Sequence, residues 1–164
     1  MAVAVGVIVA ISLLIFAILL YPSLVVSQSF RQLNLPPGKV GGESIAFEIP
    51  GSPVLYTGVR DGQILQYRGP IAGWLEFAFT NPMRSRAVCD NTTDPDMGPV
   101  CGYPLGLAYN PLTRQLIIAD AYLGLLTSGP DGRLAKPLAT AAEGVPFVAT
   151  NAVDVDPLSG NIYC

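Results

Sequence analysis

The sequence contains no histidine, few charged residues and only three cysteines. Without histidine, these 164 residues cannot form a Ser-His-Asp or Cys-His catalytic group. They also contain no Gly-x-Ser-x-Gly motif and no phosphate-binding loop motif. The nine basic side chains are scattered singly and are outnumbered by twelve acidic ones, so no basic stripe exists to neutralise phosphates. We therefore expect neither His-dependent nucleophilic catalysis within these residues nor a nucleic-acid partner.

Charge is also missing from the start of the chain. No charged side chain precedes Arg31, and residues 2–20 are almost continuously apolar. This composition predicts an apolar N-terminal helix within residues 1–27, either a signal peptide cleaved after Ser27 or an uncleaved signal anchor. The small and branched residues before the predicted cleavage point favour the signal peptide, whereas the missing basic flank and the long apolar core favour the anchor. Both alternatives predict the secretory pathway: the vacuole, the endoplasmic reticulum lumen or the extracellular space. The membrane is a partner only through residues 1–27, if they are not cleaved.

A hairpin pattern recurs three times after this segment. Alternating apolar residues flank turns rich in Pro, Gly, Asn and Asp at 48–53, 110–115 and 156–161. Such alternation predicts antiparallel strands that are each half buried. The second and third patterns begin 46 positions apart, at Tyr109 and Val155. A period of this length, with four short strands per unit, predicts the blades of a β-propeller.

The expected organisation is a linker at residues 28–42 followed by an incomplete propeller at 43–164. Blade one is predicted from Ser44 to Phe79, blade two from Leu105 to about Ala139, and blade three from Ala152 onwards. The segments 81–102 and 143–150 are predicted to be loops, the first of them an insertion. About 135 residues follow the apolar segment, enough for about three blades, whereas a closed ring needs roughly four to eight. We therefore expect this chain to be the front half of a longer protein.

Two of the three cysteines bracket a glycosylation sequon, Asn91-Thr92-Thr93. Cys89 and Cys101 are close enough in sequence to close a short loop by a disulfide, with Asn91 as the predicted glycosylation site. The alternative is a pair of free thiols beside a chance sequon. A zinc site is disfavoured, because histidine is absent and the remaining cysteine is Cys164, the last residue.

Five motifs follow one another between Gly41 and Tyr163: Gly42-Glu43-Ser44-Ile45-Ala46-Phe47, Tyr56-Thr57-Gly58-Val59, Cys101-Gly102-Tyr103-Pro104-Leu105-Gly106-Leu107-Ala108-Tyr109-Asn110, Ala119-Asp120-Ala121-Tyr122-Leu123-Gly124-Leu125 and Val153-Asp154-Val155-Asp156-Pro157. Together they resemble the plant strictosidine synthase and strictosidine-synthase-like family. The resemblance implies an all-β fold, a β-propeller with six blades when complete, of which about three are present here.

The same resemblance implies an activity. Strictosidine synthase condenses the amine tryptamine with the aldehyde secologanin, a Pictet–Spengler reaction of alkaloid biosynthesis that uses no cofactor. A glutamate of the family acts as general base, and by resemblance it belongs to the last blade, beyond Cys164. No catalytic residue is therefore assigned within this chain, and these residues alone are expected to be inactive.

A second family of similar propellers, the arylesterases and lactonases, suggests an alternative. Glu43 and Asn151 each precede the predicted innermost strand of a blade, so both side chains are expected near the central axis. Those propellers hold a divalent metal there, usually calcium, which takes oxygen ligands. Asn151 departs from the strictosidine synthase motif, and this departure favours metal-dependent ester or lactone hydrolysis. In the simpler interpretation, Glu43 and Asn151 only satisfy backbone groups at strand ends, and a non-catalytic secreted propeller is a third possibility.

Asp120 and Tyr122 lie in a further predicted turn. Asp120 is expected to accept hydrogen bonds from backbone amides between the second and third strands of blade two. The alternative is a pocket role, chiefly for Tyr122. The expected partner is a small molecule, either an amine with an aldehyde or an ester or lactone, and the sequence leaves its identity and the oligomeric state open.

Overall fold

The computed structural model describes Phe30 and residues 32–164. The chain divides into two units, Met1–Leu33 and Asn34–Cys164, and the second contains every strand described below. The predicted apolar helix and its cleavage site lie outside the described residues. Within the described part, no helix is long and apolar enough to cross a membrane.

Blade one is an antiparallel meander of four strands, β1 (Ile45–Phe47), β2 (Leu55–Gly58), β3 (Gln63–Tyr67) and β4 (Trp74–Phe79). The predicted turn at 48–53 lies between β1 and β2, and a single helical turn, α1 (Gly69–Ala72), connects β3 to β4. The pairing of β3 with β4 shifts register between Ile64 and Leu65, because Phe77 has no partner across the ladder, which indicates a bulge in β4. The strand order follows the sequence, as in a propeller blade.

The insertion after blade one was predicted to be a solvated loop, and this prediction is wrong in part. It contains two short helices, α2 (Arg86–Cys89) and α3 (Gly98–Cys101), with a 3-10 turn at Pro95–Met97 between them. The cysteines that end these helices are both fully buried. No apolar period marks helices of four residues, so the pattern of the sequence could not show them.

Blade two comprises β5 (Pro104–Asn110), β6 (Gln115–Asp120), β7 (Gly124–Ser128) and, after a crossing to blade one, β9 (Lys136–Ala139). The crossing strand is β8 (Arg133–Leu134), which pairs in parallel with β4 of blade one at Ala78 and Phe79. This segment was predicted to lie within blade two alone, and that prediction is wrong: the segment after the Pro130-Asp131-Gly132 turn joins the outer edges of two blades.

Blade three is present as one hairpin, β12 (Asp154–Val155) with β13 (Ile162–Tyr163), around the predicted turn at 156–161. The preceding segment, 143–150, was predicted to be a loop. It instead contains the turn and the second strand of a small hairpin. In this hairpin β10 (Ala141–Ala142) pairs with β11 (Val145–Pro146). Glu143 and Gly144 both adopt positive φ angles at its tip, 50° and 80°, the backbone that a two-residue hairpin turn requires.

The core lies between blades, and β6 shows how alternation builds it. Leu116 and Ile118 pack into the cluster between blades one and two, which also contains Tyr56 and Ile64. Ile117, between them in sequence, points to the other face and packs with Ala108 and Val155 of the next interface. A strand that is buried on both faces separates two apolar interfaces. The fold is thus all-β, built from the face-to-face blades of a propeller.

Candidate functional site

The chain segments that begin the inner strands of all three blades line one cleft. Glu43 and Ser44 precede β1, Leu105 and Gly106 begin β5, and residues 151–153 precede β12. The cleft has a volume of about 330 Å³. The repeat therefore brings equivalent positions together, and Glu43 and Asn151 lie on the same cleft.

Close backbone packing fixes the cleft. A Cβ on Gly106 would lie 2.7 Å from the carbonyl oxygen of Asn151 and 2.9 Å from Cα of Ala152, so only glycine permits this approach of the blade-three segment to β5. On the opposite side, the backbone N–H of Leu107 donates to Oγ of Ser44 at 3.0 Å. The Ser44 carbonyl in turn accepts from Oγ1 of Thr57 at 2.9 Å. The hydrogen bond from Leu107 ties blade two to blade one beside Glu43, and the one from Thr57 fixes Ser44 within blade one.

Glu43 is the one carboxylate on the cleft among the described residues. Its Oε1 accepts a hydrogen bond of 3.0 Å from the hydroxyl of Tyr103, which is 60 positions later in the chain. The guanidinium of Arg60 lies over the Tyr103 ring, 5.5 Å from its centroid. Burial raises the pKa of Tyr103, and the hydrogen bond to Glu43 raises it further, so the hydroxyl keeps its proton and donates.

Sequence reasoning did not assign a role to Tyr103. It lies in the quoted Cys101-Gly102-Tyr103-Pro104 motif, where a tyrosine before a predicted inner strand was the available signal. Its proximity to Glu43 arises only when blades one and two pack together.

The metal prediction needs more ligands than these residues provide. Among the described residues, no group of three or more Cys, Asp or Glu side chains is placed to hold an ion, and histidine is absent from the sequence. Calcium takes six to eight oxygen ligands, whereas the side chains of Glu43 and Asn151 offer three oxygens in all. A calcium site made by residues 34–164 alone is not supported, and the metal role of Glu43 and Asn151 stays a prediction.

Asp120 is fully buried at the end of β6. Its Oδ1 accepts from the backbone N–H groups of Tyr122 at 3.0 Å and Leu123 at 3.2 Å. Its Oδ2 accepts from the N–H of Tyr103 at 2.8 Å. One carboxylate thus shapes the β6–β7 turn and positions the tyrosine that contacts Glu43.

Tyr122 is half exposed, and its ring packs against Gly98 of the insertion: a Cβ on that glycine would lie 2.0 Å from Cε2 of the ring. Together with Arg60 and Tyr103 it lines a small cavity of about 70 Å³. Tyr122 therefore lies beside the Glu43–Tyr103 pair, and its role in a substrate pocket stays a prediction.

Cys89 and Cys101 form the predicted disulfide, with an S–S distance of 2.07 Å and a Cα–Cα distance of 5.5 Å. Asn91 is exposed within this closed loop, at a positive φ of 62°. Its backbone N–H donates to Oδ2 of buried Asp61 at 3.0 Å. The disulfide is confirmed, and glycosylation of Asn91 stays a prediction.

Comparison with known proteins gives the family. No family model matches the chain. Protein STRICTOSIDINE SYNTHASE-LIKE 10 of Arabidopsis thaliana is 48% identical over 135 residues, which is 82% of this chain and 35% of that protein. Strictosidine synthase of Catharanthus roseus is 39% identical over 108 residues, 66% of this chain and 31% of that protein. The chain belongs to the strictosidine synthase-like family.

The predicted family is thereby confirmed, and a third relative agrees with it. Protein STRICTOSIDINE SYNTHASE-LIKE 11 of Arabidopsis thaliana is 40% identical over 136 residues. The chain spans between 31% and 40% of the length of these three strictosidine synthase-like and strictosidine synthase relatives.

Proposed function

We propose that the full-length protein condenses an amine with an aldehyde, and that Glu43 helps to hold the amine. The observation that carries this proposal is the 39% identity to strictosidine synthase over 108 residues. The cleft at the inner strands supports it, because a carboxylate there suits a protonated amine. The two substrates are proposed as chemical classes: a primary amine that carries a nucleophilic ring carbon, and an aldehyde.

The two carboxylate oxygens of Glu43 can play different roles, because one is held in place and the other can bind a cation. Its Oε1 is held by the Tyr103 hydroxyl, and Oε2 has no hydrogen-bond partner among residues 34–164. An ammonium group can donate to Oε2. For reaction, the amine loses a proton and attacks the aldehyde carbon, and the resulting hydroxyl takes up a proton and leaves as water to give an iminium. The ring carbon then bonds to the iminium carbon and loses its own proton. We assign proton removal to the residue that resemblance places beyond Cys164, so Glu43 positions the substrate.

Metal-dependent hydrolysis of an ester or lactone is the less favoured alternative. The relatives carry strictosidine synthase names, and one oxygen of Glu43 is already used by Tyr103. If the remainder of the protein supplied further oxygen ligands, calcium would polarise the ester carbonyl. A non-catalytic propeller is the third possibility, and the experiment below separates all three.

The test uses purified full-length protein with tryptamine and secologanin, and product formation is followed by mass spectrometry. We expect a product whose mass equals both substrates minus one water. Glu43→Gln is expected to raise KM for the amine about tenfold or more, because a charge-assisted hydrogen bond is lost, and to change kcat less. Glu143→Gln, on the exposed β10–β11 turn, is the matched control.

Other outcomes would select the alternatives. Calcium-dependent cleavage of phenyl acetate, abolished by chelation and by Asn151→Ala, would replace condensation with hydrolysis. Absence of both activities across a panel of amines, aldehydes and esters would leave the non-catalytic propeller.

We also propose that the protein enters the secretory pathway and reaches the vacuole, the endoplasmic reticulum lumen or the extracellular space. The Cys89–Cys101 disulfide supports an oxidising compartment, and the exposure of Asn91 permits glycan attachment. Treatment of the native protein with a peptide N-glycosidase should increase its gel mobility, and the Asn91→Gln variant should show no such change.

A further inference from the structure

Tyr103 connects the start of blade two to the segment that precedes blade one. It follows the disulfide-bonded Cys101 by two positions and immediately precedes β5, which begins at Pro104. Its hydroxyl donates to Oε1 of Glu43 at 3.0 Å, across 60 positions of the sequence. The carboxylate that is proposed to hold the amine therefore has its position set by a side chain from outside blade one.

The backbone of Tyr103 is held at both of its hydrogen-bonding groups. Its N–H donates to Oδ2 of Asp120 at 2.8 Å, and its carbonyl accepts from the N–H of Ala121 at 2.9 Å. Asp120 is fully buried and also accepts from two amides of the β6–β7 turn. The ring is held as well, because the Arg60 guanidinium lies over it. Tyr103 is therefore a fixed donor.

The residues just before Tyr103 are packed tightly against blade one. A Cβ on Gly62, in the β2–β3 turn, would lie 1.7 Å from the carbonyl oxygen of Cys101, so the two backbones are in direct contact there. The disulfide ties Cys101 to Cys89, and both cysteines are fully buried. Contacts with both blades and a covalent crosslink thus define where Tyr103 lies.

The Glu43 side chain, by contrast, is exposed and makes no other hydrogen bond or ion pair with residues 34–164. A glutamate side chain loses much rotamer freedom when it is fixed. Without Tyr103, an amine would have to order Glu43 on binding, and the entropy lost in that step would weaken the binding. A hydrogen bond from a fixed tyrosine orders the carboxylate before the amine arrives.

We propose that Tyr103 is the positioning residue of the amine site: it holds Oε1 of Glu43 so that Oε2 meets the ammonium group of the substrate. This inference rests on the proposed function, because it takes Glu43 as the carboxylate that binds the amine. In this role Tyr103 touches no reacting atom, and its effect passes through Glu43. It should therefore change how tightly the amine binds and leave the chemical steps almost unchanged.

The experiment is calorimetric titration of the full-length protein with tryptamine, without aldehyde. Tyr103→Phe, which removes only the hydroxyl, should weaken tryptamine binding about three- to fivefold. Tyr67→Phe is the matched control: Tyr67 is also half-buried, but its ring packs on Trp74 and it lines neither the cleft at Glu43 nor the small cavity beside it. This control should bind tryptamine as wild-type protein does.

Kinetics with tryptamine and secologanin separate positioning from a general structural effect. Tyr103→Phe should raise KM for tryptamine by the same factor and leave kcat and KM for secologanin nearly unchanged. A loss of local structure would instead lower kcat or raise both KM values, and would contradict the inference.

A double-mutant cycle tests whether Tyr103 acts through Glu43. In the Glu43→Ala background, Tyr103→Phe should change the dissociation constant of tryptamine by less than about 1.5-fold, because the partner of the hydroxyl is already gone. Equal effects of Tyr103→Phe with and without the Glu43 carboxylate would overturn the inference.

The same measurements distinguish failure of this inference from failure of the proposed function. If Glu43→Ala weakens tryptamine binding and Tyr103→Phe does not, the amine site stands and the positioning role is wrong. If tryptamine binds with the expected loss in Tyr103→Phe but no product forms, the positioning role stands and condensation is wrong. If wild-type protein does not bind tryptamine, both are overturned.

Discussion

Tyr56 places a titratable hydroxyl in the apolar interface between blades one and two. The hydroxyl donates to Oε1 of Glu48 at 2.6 Å and accepts from Nε2 of Gln66 at 2.7 Å. Its ring packs on Phe77 with a centroid distance of 4.8 Å. Burial, and then the hydrogen bond to Glu48, raise the pKa of Tyr56 far above its usual range. The folded protein therefore holds this proton more tightly than the unfolded chain does.

This shift predicts loss of stability at alkaline pH. Above about pH 10 the unfolded chain releases the tyrosine proton while the folded protein keeps it, so the free energy of unfolding falls as pH rises. Tyr56→Phe should cost about 1–2 kcal/mol at neutral pH, because Gln66 loses a buried partner, and should flatten the alkaline decrease. Urea denaturation at neutral pH and at about pH 10.5 measures both effects.

Tyr163→Phe, which removes an exposed hydroxyl, is the control for Tyr56→Phe. An alkaline decrease that is equally steep in wild-type protein and Tyr56→Phe would show that other groups cause it.

The repeat predicted where the functional side chains of the inner strands would lie, but not their partners. Glu43 and Asn151 were placed together because each precedes an inner strand, and they do line one cleft. The hydrogen bond from Tyr103 to Glu43 was not predictable, because it depends on how two blades pack. Alternation in the sequence determines which face a side chain is on, and tertiary packing determines what it contacts.

At the scale of the elements, the close contact between β5 and the segment before β12 depends on Gly106, because glycine has no side chain. Gly106→Ala would place a Cβ within 3.0 Å of three backbone atoms of residues 151–153. Because these are backbone atoms, relief requires that the blade-three segment move away. We expect a loss of about 1–3 kcal/mol, measured by thermal or urea unfolding, and reduced binding in the cleft.

Gly129→Ala is the control for this effect. Gly129 has nothing within 4 Å of the added Cβ, so the change should be neutral or stabilising by up to about 1 kcal/mol. Equal stability of Gly106→Ala and Gly129→Ala would mean that blade three is not packed closely on β5.

Strands that follow the repeat could be predicted as elements, and short segments that bridge blades could not. Blade one was predicted to end at Phe79, which is the last residue of β4. The crossing strand β8 is only two residues long, and it forms because the edge of β4 offers unpaired backbone groups. The helices of the insertion are likewise held by the disulfide and by tertiary contacts rather than by an apolar period.

At the scale of the whole molecule, blade one and blade three each expose apolar side chains on one face of their sheets. In β1, Ala46 is buried in the interface with blade two, while Ile45 and Phe47 on the opposite face are 59% and 50% exposed. In the third blade, Val155 is buried and Tyr163 is 60% exposed. Apolar faces at both ends of a row of blades are typical of surfaces that other blades cover.

Residues 34–164, expressed without the rest of the protein, are therefore expected to self-associate, because their exposed apolar faces can pair between copies. Light scattering across a dilution series should show a mass that rises with concentration, whereas the full-length protein should keep one mass. The double variant Ile45→Lys, Phe47→Lys should lower the association, and Leu112→Lys, at the exposed β5–β6 turn, should not. If residues 34–164 stay monomeric at high concentration, these faces do not form interfaces, and β1 needs no neighbouring blade on its outer side.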